Sequence, residues 1–390
     1  MTRYLDRPVA IIGAGIGGLT AALSLQHFGV PVRVFEQARA LREIGAGVTI
    51  TPNAMSALDF LGIGPALAEQ AGETPRYFVR SAADGRELER GPDPDSFLPE
   101  FGASYCNLHR ADLHLALTDA VTNSDPDAIV LDHRFEYLEQ DGDKVVAHFS
   151  NRAAFEAPAL IGADGGASAV RDAVFGGQDA SYTGHVALRA LVPFRRVPEA
   201  VIADPYALYV GAGRSLIHYP LRRQTTMNLL GNAQASQWQA EGWAIPATVP
   251  EFLGLFDDFP EPVRELIAAV GAPDLFKWGL RDREPLPAWT RGRVTMLGDA
   301  AHPMTPYLGQ GACMAIEDGM VLGRAFAASQ DLGEAFARYE AARRDRANGV
   351  QLAARYQGTQ HHGSTASGPS SGKTAVTLGL FSYNPVTEPI

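Results

Sequence analysis

Val9–Ile12 is an unbroken apolar run too short for a helix, and it gives way at once to glycines at 13, 15, 17 and 18, as a buried parallel strand entering a tight turn would. Residues 19–28 read as a helix stopped by Gly29, and 32–35 as a second apolar strand, so the chain opens on a strand–helix–strand unit. Short runs at 128–131, 136–138 and 145–149, joined by Asp and Gly turns, predict a meander against one side of a larger sheet. Strict alternation then returns. A strand over 186–192 precedes a hairpin of 215–221 and 225–231, turning at 222–224. In its first arm Ser215, Ile217 and Tyr219 share one face, and Leu216, His218 and Pro220 the other. Helical patterns cover 249–270 and 312–357, the latter with Ile316, Leu322 and Phe326 among charged positions. From 363 to 372 the chain is Gly, Ser, Thr, Ala and Pro with nothing to bury, which predicts a flexible tail over 356–390 in which 378–383 alone could dock back. No internal repeat is visible.

A chain of 390 residues is long for one core, so two or three cooperating substructures are expected. The pattern divides them as 1–180 with 280–355, and 181–279 between. A net charge of −11 argues against nucleic acid as a partner. The only lysines are Lys144, Lys277 and Lys373, so recognition of anions falls to arginine. Cys106 and Cys313 are too few for a disulfide framework or a metal site. The pair His361–His362 stands in linker-like sequence, and no metal is expected there. No run is long enough to span a membrane. The first apolar run opens into glycines rather than a signal-peptide cleavage region, so the expected compartment is cytoplasmic. Monomer and homodimer both remain open.

The chemistry starts at Gly13-x-Gly15-x-x-Gly18, between strand and helix. Gly13 allows the turn, Gly15 lets backbone approach a pyrophosphate, Gly18 permits close helix packing, and the helix N-terminus adds positive potential. Glu36, at the end of the second strand, is suited to an adenosine ribose. Both NAD and FAD use this fingerprint. Two later strands decide between them: one runs into Asp164-Gly165, followed by Ser168 and Arg171. The other ends in Gly298-Asp299-Ala300-Ala301-His302-Pro303 and leads through Pro306 and Gly309-Gln310-Gly311 into a helix. Each alone is a common strand-ending turn; the pair downstream of a dinucleotide motif is not.

With these motifs the sequence resembles the FAD-dependent aromatic hydroxylases, single-component flavoprotein monooxygenases that include salicylate, 3-hydroxybenzoate and 6-hydroxynicotinate hydroxylases. The resemblance covers roughly 8–355, and takes in Gly45-Ala46-Gly47-Val48, Pro52-Asn53-Ala54, His109-Arg110-Ala111-Asp112-Leu113 and Trp289-x-Arg291-Gly292-Arg293. It implies an α/β fold: a Rossmann-type FAD-binding domain, a mixed β-sheet substrate domain and C-terminal helices. It further implies non-covalent FAD, with Asp299 on the ribityl chain, Arg110 near the phosphates, Asp164 and Gly165 on a surface shared with NADH or NADPH, and the Gly309, Gly311 and Ala312 backbone along the pyrimidine edge. The implied reaction is hydroxylation of a small phenolic or N-heteroaromatic compound with NAD(P)H and O2 through a flavin C4a-hydroperoxide.

On the substrate side the same resemblance is less complete. That family often carries a histidine four residues before the tyrosine of a Tyr-Pro pair; here Tyr219-Pro220 is kept and Ser215 stands in its place. Tyr219 is the expected substrate-activating hydroxyl, Tyr307 a substrate contact, Arg189 a carboxylate or flavin contact, and His302 either a lining residue or a structural part of its His-Pro turn. Two other readings stay open: a monooxygenase of a larger polycyclic or polyketide substrate, and a flavin-bearing binding or redox-sensing protein that does not hydroxylate.

Overall fold

Val9–Ile12 lies at the centre of a six-stranded sheet, parallel to Val32–Phe35 on one side and to Leu160–Gly162 on the other. Beyond these, Ile129–Val130 and Val294–Met296 extend the parallel set, and Thr290–Arg291 adds an antiparallel edge. The computed structural model describes residues 7–41, 46–177, 179–238, 245–271, 275–361 and 378–390. Gly45, His362 and the tract 363–372 lie outside these residues. The first helix, Ile16–His27, starts three residues earlier than expected, because the glycine turn is tight enough for Ile16 to be helical already. It packs against the long helix Gly311–Ala328. Gly319 and Gly323 allow that contact, since a Cβ at either would strike backbone of Thr20, Ala21 or Ser24.

The meander differs from expectation at one strand. Phe135–Asp141 and Lys144–Phe149 pair as anticipated, but the third member is Ala154–Ala157, and Ile129–Val130 belongs to the parallel sheet. An apolar pair buried from both faces and one exposed on a meander look alike over four residues.

The second sheet has eight strands in the order Ile245–Pro246, Leu275–Asp282, Ser181–Pro193, Thr226–Gln234, Arg214–Leu221, Ala207–Gly211, Phe78–Ser81 and Glu87–Arg90. It is mixed, because Ala207–Gly211 runs parallel to Phe78–Ser81. The last two strands come from the first quarter of the chain, so this sheet is not confined to the expected 181–279. The hairpin turn holds Arg222, Arg223 and Gln224 all at positive φ, between 52° and 61°. Alternation divides the sheet as the sequence pattern requires. Leu188, Ala190, Val192, Leu216, Met227 and Leu229 pack under the helices Val249–Leu255 and Glu261–Ala268; the opposite face turns toward the first domain.

The predicted helix over 249–270 is thus two helices broken at Asp257–Asp258, and that over 312–357 is also two, Gly311–Ala328 and Leu332–His361. The second break is a helix N-cap: Asp331 Oδ1 accepts from Glu334 N at 2.9 Å, and Glu334 Oε2 reaches back to accept from Gln330 N at 2.8 Å. The expected tail is corrected at its start, and the docking anticipated for 378–383 extends to 390. Helix Leu332–His361 runs past 356, and residues 378–390 fold back, burying Leu380 and Phe381 against Phe97, Met314 and Val350.

Candidate active site

A cavity of about 480 Å³ lies between the two sheets, within the roughly 300–1,000 Å³ of small-molecule sites. One end is backbone. Gly13 sits at φ +107°, where a Cβ would strike the Ala163 carbonyl, and a Cβ on Gly18 would strike the Gly13 carbonyl. Gly15 is different: its missing Cβ would meet nothing within 4 Å, and it lines the cavity with Ile16 and Gly17 at the first helix N-terminus. A chain that keeps this space clear and aims helix N–H groups at it fits a pyrophosphate.

The facing wall is the turn after Val294–Met296. Asp299 points into the cavity; burial raises its carboxyl pKa, while His302 and Arg110 pull it back down. Gly309, at φ +63°, and the helix start at Gly311 and Ala312 continue this wall. The turn is held from behind. Asp318 Oδ2 accepts from Gly298 N at 2.9 Å and pairs with His302 Nε2 at 2.6 Å, while Oδ1 accepts from Arg343 Nε at 2.8 Å. Burial pushes the Asp318 carboxyl up, but His302, Arg343 and these hydrogen bonds outweigh it and leave the pKa at about 2. Arg343 also contacts Glu317 at 2.5 Å, and all four side chains are fully buried. Asn53 extends the framework, donating to Glu317 Oε1 at 2.6 Å and to Gln310 Oε1 at 3.2 Å. A neutral apolar framework could not hold a strand-ending turn by its N–H in this way.

The other end is built by the eight-stranded sheet. Arg189, Ser215, Ile217, Tyr219, Leu230 and Asn232 project from three adjacent strands into the cavity. Gly47 makes room for Tyr219, since a Cβ there would lie 2.6 Å from the ring, and its N–H donates to Asn228 Oδ1 at 2.8 Å. Arg189 reaches the Gly47 carbonyl only at 3.4 Å and lies 5.7 Å from the Trp278 ring centre. It forms no ion pair among the described residues. Burial lowers its pKa, the nearby Tyr219 raises it and Arg110 lowers it. Burial likewise pushes the Tyr219 hydroxyl well above the ordinary tyrosine range, partly offset by Arg189. Tyr219 is therefore a neutral donor at physiological pH. Tyr307 separates this cavity from a second one of about 650 Å³ that holds His185, Arg283 and Arg355, and it packs against Gly358, whose hydrogen leaves room for the ring.

Of the residues expected from sequence, Gly15, Arg110, Gly165, Arg189, Tyr219, Asp299, Tyr307, Gly309, Gly311 and Ala312 meet around one cavity. Gly13 and Gly18 serve the turn behind it. Glu36 is outside the cavity wall, its carboxylate accepting from Ala14 N at 3.0 Å and Ala38 N at 2.9 Å, so it fixes the glycine loop. One expectation is corrected, and one left open is decided. Asp164 caps the helix Ala169–Phe175 through Ser168 and Val170, which leaves only Gly165 facing the cavity. His302 does not line the cavity; it is wholly buried against Trp289 and bound to Asp318, which makes it part of the support. Sequence reading missed Tyr77, Tyr105 and Tyr206, a phenol cluster in which the Tyr105 and Tyr206 hydroxyls are 2.8 Å apart and Tyr206 lies 5.4 Å from Tyr219. Each stands just before a different strand, far from the others along the chain, so no local pattern carried a signal. Among the described residues no cluster of three or more His, Cys, Asp or Glu is placed to hold a metal ion, and no helix is long and apolar enough to cross a membrane.

A glycine turn that leaves room for a pyrophosphate, an acid at the end of a distant strand and a second sheet closing the cavity define a flavin-dependent oxidoreductase. Residues 6–354 match the family model described as FAD binding domain, and the chain belongs to that family. It is 38% identical over 360 residues to 3-hydroxybenzoate 6-hydroxylase of Polaromonas naphthalenivorans, with 92% of this chain and 88% of that protein covered. It is 34% identical over 346 residues to 6-hydroxynicotinate 3-monooxygenase of Bordetella bronchiseptica, covering 88% and 89%. The crystal structure of Klebsiella pneumoniae HpxO with FAD and uric acid superposes with a TM-score of 0.86 at 28% identity, covering 97% of each chain. The protein is an FAD-dependent monooxygenase of the aromatic hydroxylase type.

Proposed function

We propose that the protein hydroxylates a small aromatic acid or hydroxy-N-heteroaromatic, consuming NADH or NADPH and O2. The observation that carries the substrate class is Arg189: a guanidinium on the cavity wall, beside Tyr219, its Nε buried without a hydrogen-bond partner and with no carboxylate paired to it among the described residues. A buried cation without a counter-ion is costly unless a ligand supplies the charge. The relatives named for 3-hydroxybenzoate and 6-hydroxynicotinate act on compounds of this kind.

FAD, when bound, takes two electrons from the nicotinamide donor and activates oxygen. Gly15 with its helix N-terminus would hold the pyrophosphate, Arg110 would lie along the phosphates, and Asp299 would accept from the ribityl hydroxyls. The start of helix Gly311–Ala328 would favour negative charge on the flavin pyrimidine. Tyr219 donates to the oxygen substituent of the substrate ring, while Arg189 stabilises its anionic form. An anionic ring is the more electron-rich, and so the better target of electrophilic oxygen. Ser215 leaves space where a larger side chain would stand, and Asn232, whose amide lies 3.5 Å from the Ser215 hydroxyl, offers a polar contact.

The test is a screen of NAD(P)H oxidation stimulated by hydroxybenzoates and hydroxypyridinecarboxylates, with product mass measured. Gain of one oxygen by an acid, lost in Arg189→Met with FAD retained, is the expected result. Peroxide release with every ligand and no oxygenated product would overturn it.

A further inference from the structure

Residues 378–390 lie beyond the 6–354 that define the family match, yet they are built into the site. Phe381 is 5% exposed and lines the same cavity as Tyr219 and Asp299. It meets Phe97 edge-on at 5.8 Å and Tyr105 at 6.2 Å, and Phe97 stacks on Tyr105 at 4.9 Å. Through the Tyr105–Tyr206 hydroxyl contact and the Tyr206–Tyr219 ring contact, these side chains form one continuous aromatic wall from the segment to the substrate-facing tyrosine.

The segment is fastened by arginines of the two long helices. Arg346 donates to the Leu380 carbonyl at 3.2 Å while bound to Glu317, and lies 3.8 Å from the Tyr383 ring centre. Arg324 donates to the carbonyls of Pro385 and Glu388 at 2.7 and 2.8 Å, and Arg338 to that of Ile390 at 3.2 Å. Glu317 also belongs to the cluster supporting the Gly298–Asp299 turn. The strap is thus anchored to the framework that shapes the cofactor wall.

We infer that Phe381 is a specificity-determining residue: the strap carries it into the cavity, where with Phe97 and Tyr105 it sets the size limit for the aromatic ligand. This rests on the proposed aromatic substrate. A rigid aromatic stop discriminates by shape, and a misfit as small as one methylene is worth roughly 10–200-fold in such a pocket. Substituting Phe381 changes the cavity floor without touching Arg189, Tyr219 or Asp299.

The experiment uses the FAD-loaded full chain and Phe381→Leu, Phe381→Ala and Phe381→Trp. Dissociation constants are read from the flavin absorbance change for two ligand series: 3-hydroxybenzoate with methyl, propyl and phenyl substituents, and phenol, naphthol and phenylphenol. The expected result is that Phe381→Leu and Phe381→Ala bind the largest members roughly tenfold or more tighter than the parent protein. Phe381→Trp should lose the intermediate ones, so that the ratio of largest to smallest member moves in opposite directions in the two kinds of variant. A size profile identical in all variants that retain FAD overturns the inference, and Phe381→Leu keeps the test valid should Phe381→Ala fold poorly. If the acids fail to bind while the neutral phenols bind with a Phe381-dependent size limit, the proposed acid substrate is wrong and the strap stands. Binding of neither series overturns both.

Discussion

The two ends of the cavity are made by different means. At the Gly15 end the wall is backbone, drawn from a stretch of six residues in which Gly13, Gly17 and Gly18 are required by close approaches and Gly15 leaves open space. At the Tyr219 end it is side chains, drawn from strands at 181–193, 214–221 and 226–234 and from Tyr105 and Phe381. Backbone recognition tolerates almost no substitution, because the group that binds cannot be exchanged and the space it leaves cannot be filled. A side-chain wall can change one residue at a time, and Ser215 at the position of an expected histidine is such a change. On the proposed function, the Gly15 end thus defines the class of enzyme, and the Tyr219 end its particular compound.

Gly15→Val breaks the comparison most directly. The protein should keep its fold, because the new side chain enters open space, but recover no FAD on purification. Gly18→Ala should fail earlier, in soluble yield or thermal stability, because its Cβ collides with the Gly13 carbonyl. Equal FAD content in Gly15→Val and the parent would remove the cradle from the account.

Next in size is the support behind Asp299. Arg343→Met leaves Asp318 and Glu317 buried with less counter-charge, and urea denaturation should show a loss of about 3–5 kcal/mol. A loss under about 1 kcal/mol would mean that the cluster is not holding the turn.

Tyr219→Phe tests the opposite end. It removes a hydroxyl and keeps the ring, so FAD binding should be unchanged while hydroxylation falls by roughly 10²-fold. Asp299→Ala should show the reverse sensitivity, weakening FAD retention by about 1–3 kcal/mol through lost hydrogen bonds. Coupled turnover at the parent rate in Tyr219→Phe would reduce that residue to packing.

The smallest effect concerns His218, on the helix-covered face of the same hairpin. Burial lowers its pKa to about 4, against a weaker upward pull from the Pro205 carbonyl. The unfolded chain binds a proton near 6.5 that the folded chain refuses, so this contribution to stability is complete above 6.5. It is lost as pH falls from about 6.5 toward 4, and is constant below. Between pH 6.5 and 5.5 the loss should be about 1 kcal/mol, and His218→Leu should flatten that part of the stability curve. An identical slope in the variant would assign the titration elsewhere.

Sequence reading found the turns at the Gly15 end because their signals are local. A glycine triplet between a strand and a helix, and a strand ending in Gly298-Asp299, identify themselves within a dozen residues. The alternation that puts Ser215, Ile217 and Tyr219 on one face is equally local, and it held. Asp164 was misread and His302 left open for a common reason. A polar residue at the end of a strand can face a ligand or brace the turn, and the answer depends on what stands behind it: Asp318 in one case, and the amide of Val170 with Ser168 in the other.

From its residues alone, then, this chain determined a dinucleotide-binding turn, the strands that carry it and the inward face of the substrate hairpin, because each follows from spacing along a few residues. Only the tertiary structure decided that Phe78–Ser81 and Glu87–Arg90 join the second sheet, that Arg189 stands beside Tyr219 with no acid paired to it among the described residues, and that Phe381 returns to line the same cavity. Those facts depend on contacts between residues far apart in the chain, and no local periodicity records which distant partner a buried side chain will meet.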